Sequence, residues 1–585
     1  MAEPPYMHLP FLHIVNDAKI RLQALKGEKI DPVQQDDVYK KFFMNIAQFG
    51  LDYEYKKMIG GSAVHHTKTK YAKEVLVLGA GASGLVAAYE LAQAGHKVTL
   101  IERQERPGGR IKTIRTPFAE GLHVDVGAMR LPGDGSDAPG MPSHWLTDFY
   151  IKLFKIPCKP FFTSNEKCYF NLYGHTVRME EWSKDKNYWC TKFWPGWDKH
   201  LTTEAKKEIK GLDELFQETM KPVTEELMND HSEEGWKRWV KKWSVISLAE
   251  FLRSDQYPEV NPLMLRPWPE PAITGYTVSQ YGKLLNASLV EVLRDLIGDW
   301  WHDPEHTPVD GMDTLPKAFV KPNLHGWNHD VHLDDNIHYG LEVNTVDHSE
   351  KNIVKVRARN TATGHTKEFC GDAVIVTFPL TILRQIKFHP SLTLDKQKAI
   401  ADITYLASTK IALQCKTKFW QNEKYGIKGG HSITNLPVGQ VFYSDYPGAK
   451  DDPNHRGLLL TYNWTQDGLI LGSQPEKEAV ASAVEQIKKI HPEIETEFEV
   501  GMSQSWYSDP TAQGCCAQLK PNEYNNNMAI LFKPEHPVYL AGEAISWSNG
   551  WIQGALESGH RAAYQFYSYN ELEALREHAG EGPEP

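Results

Sequence analysis

Three glycines and one acid define the first chemistry open to this chain. Gly79, Gly81 and Gly84 fit the spacing G-x-G-x-x-G within Glu74-Val-Leu-Val-Leu-Gly-Ala-Gly-Ala-Ser-Gly84. The first allows a tight turn, the second lets backbone approach a pyrophosphate, and the third lets a new helix pack close to the preceding strand. Glu102 follows about 20 residues beyond, where a carboxylate accepts hydrogen bonds from a ribose diol. Next comes Arg106-Pro-Gly-Gly-Arg110, a loop whose amides and guanidinium groups suit phosphate. The pattern predicts a dinucleotide site.

The elements that must hold these residues are legible around them. Val75 to Leu78 is a continuous apolar run, as expected of a parallel strand buried on both faces. Leu85 to Ala94 reads as a helix with Gly95 as its C-cap, and Lys97 to Ile101 as a second strand ending at Glu102. Asp372 to Leu380 reads as another buried strand running into a loop. From Ile552 a helix is predicted, with Ala555, Leu556, Gly559, Ala562, Ala563 and Phe566 close to helical spacing. Residues 171–300 are dense in Glu, Lys and Trp and read as mainly helical. There Trp236, Trp239 and Trp243 form a stripe expected in a core, and Ser247-Leu-Ala-Glu250 forms a capping box. Asp36 to Gln48 predicts one more helix, with Val38, Phe42, Phe43 and Ile46 near one face.

The doubled-glycine loop after the glycine turn resembles the fingerprint of the glutathione-reductase-like flavoproteins of the amine oxidase superfamily. NAD enzymes generally lack that loop, so the resemblance implies FAD. Leu540-Ala-Gly-Glu-Ala-Ile-Ser-Trp-Ser-Asn-Gly-Trp-Ile-Gln-Gly-Ala-Leu-Glu-Ser-Gly559 looks like the second half of the same flavin clamp. Gly311-Met-Asp-Thr-Leu-Pro-Lys-Ala-Phe319 and Tyr339-Gly-Leu-Glu-Val343 are similar to a flavin-domain helix start and to the strand packing against adenine. The implied fold is α/β (α+β): a glutathione-reductase-like Rossmann FAD domain (71–120, 301–400, 501–570), a mixed-sheet substrate domain (121–170, 401–500) and an inserted helical domain (171–300). An N-terminal extension (1–70) would join the substrate domain, and 571–585 would be a polar tail. Cofactor contacts are implied at Gly79, Gly81, Ala82, Ser83, Gly84, Glu102, Arg103, Gly109, Arg110, Gly127, Ala128, Met129, Arg130, Val343, Gly542, Glu543, Gly550, Trp551 and Ile552. The helix from Ile552 would aim amide donors and a positive dipole end at the flavin C2=O and N1.

Asp125-Val-Gly-Ala-Met-Arg-Leu-Pro132 is similar, more narrowly, to the L-amino acid oxidase segment whose arginine holds the substrate carboxylate, here Arg130. A planar guanidinium grips a carboxylate through two parallel hydrogen bonds. An internal ion pair with a protein carboxylate is the alternative for Arg130. Ser408-Thr-Lys-Ile-Ala-Leu413 resembles the strand whose lysine holds a water beneath flavin N5, making Lys410 the candidate. Burial would depress its pKa and let it position water for imine hydrolysis or the oxygen step. Gly429-Gly-His-Ser-Ile-Thr-Asn-Leu-Pro437 resembles a segment leading to a tyrosine on the substrate carboxylate; Tyr443 fits that place, with Tyr446 as the neighbouring alternative. The carbonyl of Gly550 would receive the substrate amino group, and Trp551 would wall the pocket. The resemblance implies oxidative deamination of L-amino acids by hydride transfer from Cα to flavin N5, yielding 2-oxo acid, ammonia and hydrogen peroxide. The implied partners are the amino acid and molecular oxygen, and relatives commonly form homodimers or dimers of dimers. Cys515 lies where some monoamine oxidases attach flavin covalently, whereas L-amino acid oxidases usually hold FAD without such a bond. An amine or polyamine oxidase on the same fold, or a flavin-binding protein without activity, are the rival readings.

Composition narrows the field. The 585 residues are 41% hydrophobic, enough for a substantial core, and a net charge of -11 offers no basic footprint for nucleic acid. No run of eighteen apolar residues predicts a membrane span, and the N-terminus does not read as a secretory leader, so a soluble cytoplasmic protein is the default expectation. Seven cysteines in a chain this long do not suggest a disulfide scaffold. The absence of CxxC or HExxH spacing argues against a metal site.

Overall fold

The computed structural model describes residue 69 and residues 71–579, apart from 134–143, 230–232, 259–264, 281–282, 299, 301–304, 322–330, 332 and 445–452. The helix expected over Asp36 to Gln48 lies outside the described residues, as does Tyr446.

Glu74–Leu78 is the central strand of a five-stranded sheet in the order Ile337–His338, Lys97–Ile101, Glu74–Leu78, Ala373–Val376, Val538–Leu540. Every neighbouring pair is parallel. The apolar runs follow from burial on both sides: Val75 and Val77 pack in one core cluster, Leu76 and Leu78 in another. Leu78 is level with both Ile101 and Val376, so the glycine turn, Glu102 and Thr377 leave the sheet at one edge. Open parallel sheets bind ligands at that carboxyl edge.

The helix after the glycine turn spans Ala82–Gln93, with Gly81 as its N-cap in an extended conformation. Its C-cap is Ala94; Gly95 follows at φ +91°, the left-handed position that ends helices. Against this helix lies the last one, Ile552–Ala579, which continues into the segment expected to be a polar tail. A Cβ on Gly559 would run into the Ser83 carbonyl and Val86, so the close packing of first and last helices requires a glycine there.

A seven-stranded mixed sheet holds the second half of the molecule, in the order Phe498–Ser505, Ser408–Cys415, Gly457–Trp464, Gln440–Tyr443, His431–Thr434, Tyr169–Leu172, His175–Arg178. Two of its strands extend beyond residue 171, so the helical unit starts at Met179 and runs to Gly298. Trp239 and Trp243 lie in its core, and the Ser247 side chain accepts a hydrogen bond from the Glu250 amide. A three-stranded sheet sets Pro132 opposite Glu305. The architecture is therefore a Rossmann-like parallel sheet combined with mixed sheets and a helical unit. Among the described residues no helix is long and apolar enough to cross a membrane, and no group of three or more His, Cys, Asp or Glu could hold a metal ion.

Candidate active site

A cavity of about 420 Å³ opens at the carboxyl edge of the parallel sheet. Gly79, Gly81, Ala82 and Ser83 form its floor, and Glu102, Arg103, Gly109 and Arg110 line it further along. Gly79 sits at φ +105°, and a Cβ there would come 2.7 Å from Thr377 Oγ1. A Cβ on Gly81, by contrast, would meet nothing within 4 Å. Gly84 does not line the cavity; it gives the helix its close approach to the Gly79 carbonyl. Glu102 is fixed by accepting hydrogen bonds from the Ala80 and Gln104 amides, both at 2.7 Å, and burial pushes its carboxyl up from the usual range. Bare helix-start amides, an open Gly81 face and a fixed acid beside them fit a dinucleotide. We expect Gly81→Val to fold but to lose most of the flavin that the resemblance implies, because the side chain would fill the phosphate approach. The ratio of flavin to protein absorbance measures this, and a full complement of cofactor would refute the placement.

The opposite wall comes from the end of the chain. Gly542, Glu543, Gly550, Trp551 and Ile552 all line the cavity, the last at the start of the closing helix. Glu543 organises this wall. Its carboxylate accepts from Arg110 Nη1 at 2.7 Å, the Gly550 amide at 2.8 Å and the Ala517 amide at 3.1 Å. Arg110 also donates to the Cys515 carbonyl at 3.0 Å, so it braces the protein as well as facing the cavity. Burial alone would lower its pKa, but Glu543 more than reverses the effect. Cys515 and Cys516 line the same wall, their sulfurs 3.5 Å apart.

Lys410 is buried at the cavity edge, on the strand Ser408–Cys415. Its Nζ donates to the Gly127 carbonyl at 2.7 Å and the Asp125 carbonyl at 3.2 Å, and lies 4.4 Å from the centre of the Tyr462 ring. Met129 Sδ is 2.9 Å from the same ammonium. Burial lowers its pKa to about 7, partly opposed by Asp125 and reinforced by Arg130. Strand alternation is an unsafe guide to exposure here, because other strands and the 125–130 segment cover both faces.

Several expected site residues lie elsewhere. Gly127, Ala128 and Val343 line the cavity, but Met129 serves as the seat of Lys410 and does not. Arg130 does not line it either. Its Nε pairs with Glu305 at 3.3 Å, and its Nη1 donates to Thr163 Oγ1 at 3.2 Å; Thr163 in turn bonds Glu305. Arg130 is nevertheless near enough for its charge to be felt at Lys410 and Tyr462. Tyr443 is displaced outright. Lys410 pairs with Tyr462, and Tyr462 with Gln440, so Gln440 and Phe442 share the Lys410 face while Tyr443 points away. Its hydroxyl bonds Ser432 and His491, each at 2.7 Å, inside a separate apolar cluster.

Sequence reasoning missed Tyr462 and Trp506, which line the cavity, as do Thr377, Phe378 and Pro379. The signal for Tyr462 was its alternation with Leu460 and Leu458 on a strand opposite Lys410. Trp506 carried no local signal; it follows the strand Phe498–Ser505 and donates to the Val126 carbonyl at 2.8 Å, holding the 125–130 segment in place.

The sequence pattern described as "Flavin containing amine oxidoreductase" matches residues 82–565. A Bacillus subtilis protein provisionally named as the L-amino-acid oxidase YobN is 30% identical over 509 residues, covering 85% of this chain and 95% of its own. An L-amino-acid oxidase of Bothrops atrox is 27% identical over 507 residues, covering 85% and 88%. Among solved structures, wild-type putrescine oxidase bound to putrescine superposes with a TM-score of 0.61 at 16% identity, covering 85% of this chain and 99% of that one. At that identity the likeness speaks for the fold alone.

Proposed function

The chain belongs to the flavin-containing amine oxidoreductase family, and within it we propose an FAD-dependent L-amino acid oxidase whose dinucleotide half is of the glutathione-reductase-like kind. The observation that carries this reading is the similarity to L-amino-acid oxidases over 85% of the chain; Arg130, buried and paired with Glu305 off the cavity lining, is the guanidinium proposed to take the substrate carboxylate. Its Nε lies 3.3 Å from Glu305, an ion pair that a substrate has to displace. A substrate carboxylate would compete with that contact, orienting the Cα–H toward the cavity.

FAD held by the Gly79–Gly81 turn, Glu102 and the Gly542–Ile552 wall would supply a two-electron acceptor for the CH–NH2 group, with oxygen as the final acceptor. The protein's part is positioning. Trp551 and Tyr462 present aromatic faces on the cavity, and the Gly550 carbonyl is proposed to receive the substrate amino group. Lys410, with its pKa near 7, holds and polarises water for hydrolysis of the released imine or for the oxygen-dependent half of turnover. We propose that the cofactor is held without a covalent bond, although Cys515 lines the cavity.

The Arg130–Glu305 pair also favours a second reading. A cation already balanced by the protein has no need of a substrate carboxylate, as in an oxidase of simple amines or polyamines. A peroxide assay of the common L-amino acids alongside phenylethylamine and putrescine separates the two. Turnover of L-phenylalanine without phenylethylamine is expected; the converse would remove the amino acid assignment and leave the family chemistry standing.

A further inference from the structure

The loop that carries Gly550 and Trp551 is held from outside the dinucleotide half. Arg294, on the helix Leu289–Gly298 of the helical unit, has a side chain only 4% exposed. Its Nη1 donates to the Trp547 carbonyl at 2.8 Å and to Asn549 Oδ1, and its Nη2 donates to the Asn549 carbonyl at 3.0 Å. One planar group thus grips two carbonyls two residues apart, immediately before Gly550. Asn549 is tied down again from its own side chain, donating to Glu291 at 2.5 Å and to the Ala517 carbonyl at 3.0 Å. Glu291 completes the ring, pairing with Arg294 at 3.3 Å and accepting from the Tyr524 hydroxyl at 3.0 Å.

The far side of Gly550 is fixed by the other guanidinium. The Gly550 amide donates to Glu543, which Arg110 holds. The Trp551 ring is then set by its neighbours: His144 meets it edge-on at 4.8 Å, and Trp300 at 6.0 Å. Trp300 also lies 5.6 Å beneath the Arg294 guanidinium, so one residue touches both the backbone of the loop and the packing of its indole. Buried networks of this kind are rigid only while every member is satisfied.

We infer that Arg294 is a positioning residue for the Gly550–Trp551 wall, coupling the helical unit to the face on which the amine donor must lie. It does not itself line the cavity. The bland alternative is charge balance: a cation that merely neutralises Glu291 and Asp295, the latter accepting from Nε at 3.0 Å. Lysine separates the two roles, because it keeps the charge but not the planar fork.

The test uses flavin-loaded Arg294→Lys, Asn549→Ala and the double variant. It measures flavin per chain, visible circular dichroism of the bound flavin, thermal midpoint, and the anaerobic reduction rate. The donor is whichever of L-phenylalanine or phenylethylamine the wild type oxidises, so a wrong substrate assignment shows in the wild-type data alone. We expect a full flavin complement, an altered visible dichroism, and limiting reduction slowed by tenfold to a hundredfold, on the order of a misplacement near 1 Å. Because both residues serve one loop, the double variant should be no slower than the worse single. Wild-type reduction and dichroism in Arg294→Lys would overturn the proposal in favour of charge balance. Slowing that merely tracks lost flavin and a lower midpoint would overturn it in favour of general stability.

Discussion

Arg130→Ala should raise the KM for L-phenylalanine on the order of a hundredfold while the flavin content stays intact. Charge-assisted hydrogen bonds contribute about 1.5–3 kcal/mol each, and the upper end of that range is close to two decades in affinity. Phenylethylamine, which has no carboxylate, should be oxidised no worse by the variant than by wild type. The single substitution carries a second effect, since buried Glu305 would lose its charged partner and keep the Thr163 hydroxyl, at a cost of about 3–5 kcal/mol. Arg130→Ala combined with Glu305→Gln removes that penalty and should restore the thermal midpoint without restoring the amino acid KM. An amino acid KM that recovers with the midpoint would mean that Arg130 is a structural partner of Glu305 and nothing more.

Lys410→Met should separate the two halves of turnover. Its ammonium sits on the Gly127 and Asp125 carbonyls beside the cavity, so its loss should spare reduction by substrate. The oxygen-dependent half should slow by on the order of a hundredfold, the lower range for a positioned proton-transfer group. In wild type that half should slow as pH rises through about 7, where the lysine loses the positive charge that stabilises reduced oxygen and the proton that peroxide formation consumes. The variant should show no such step. Stability gives an independent sign. The folded pKa lies near 7 and the unfolded value near 10.5, so between them the unfolded chain binds more protons and stability rises with pH. Denaturant midpoints measured from pH 7 to 10 should climb in wild type and climb less in Lys410→Met. Equal slopes would show that the lysine is solvated and the water-holding role misplaced.

Which parts of this site can be read from residues alone follows from the range of the forces involved. The glycine turn, Glu102 and the closing helix are local patterns, each decided within a few residues by backbone conformation or apolar spacing, and the structure puts them on one cavity. The Lys410 strand could be placed only by resemblance, because its burial depends on the 125–130 segment, 283 residues away at Gly127, which Trp506 in turn holds. Tyr443 shows the limit. One residue of strand register separates the cavity face from the apolar cluster behind it, and an insertion in the adjoining loop is enough to move a tyrosine across. The partner of Arg130 was equally hidden, since the pairing of Pro132 with Glu305 is set by sheet contacts that no local pattern announces.

The meeting of the helices Ala82–Gln93 and Ile552–Ala579 has a consequence for how the molecule comes into being. The cavity draws on stretches from Gly79 to Ala555, so no nascent chain can enclose a ligand until Ala555 has left the ribosome. Until then the parallel sheet lacks its edge strand, Val538–Leu540, and the helix Ala82–Gln93 lacks its covering partner. Such long-range closure is slow and exposes sticky surface meanwhile. Cofactor uptake should therefore wait until the helix Ile552–Ala579 has been made, and the yield of folded protein should respond to riboflavin supplied after that point.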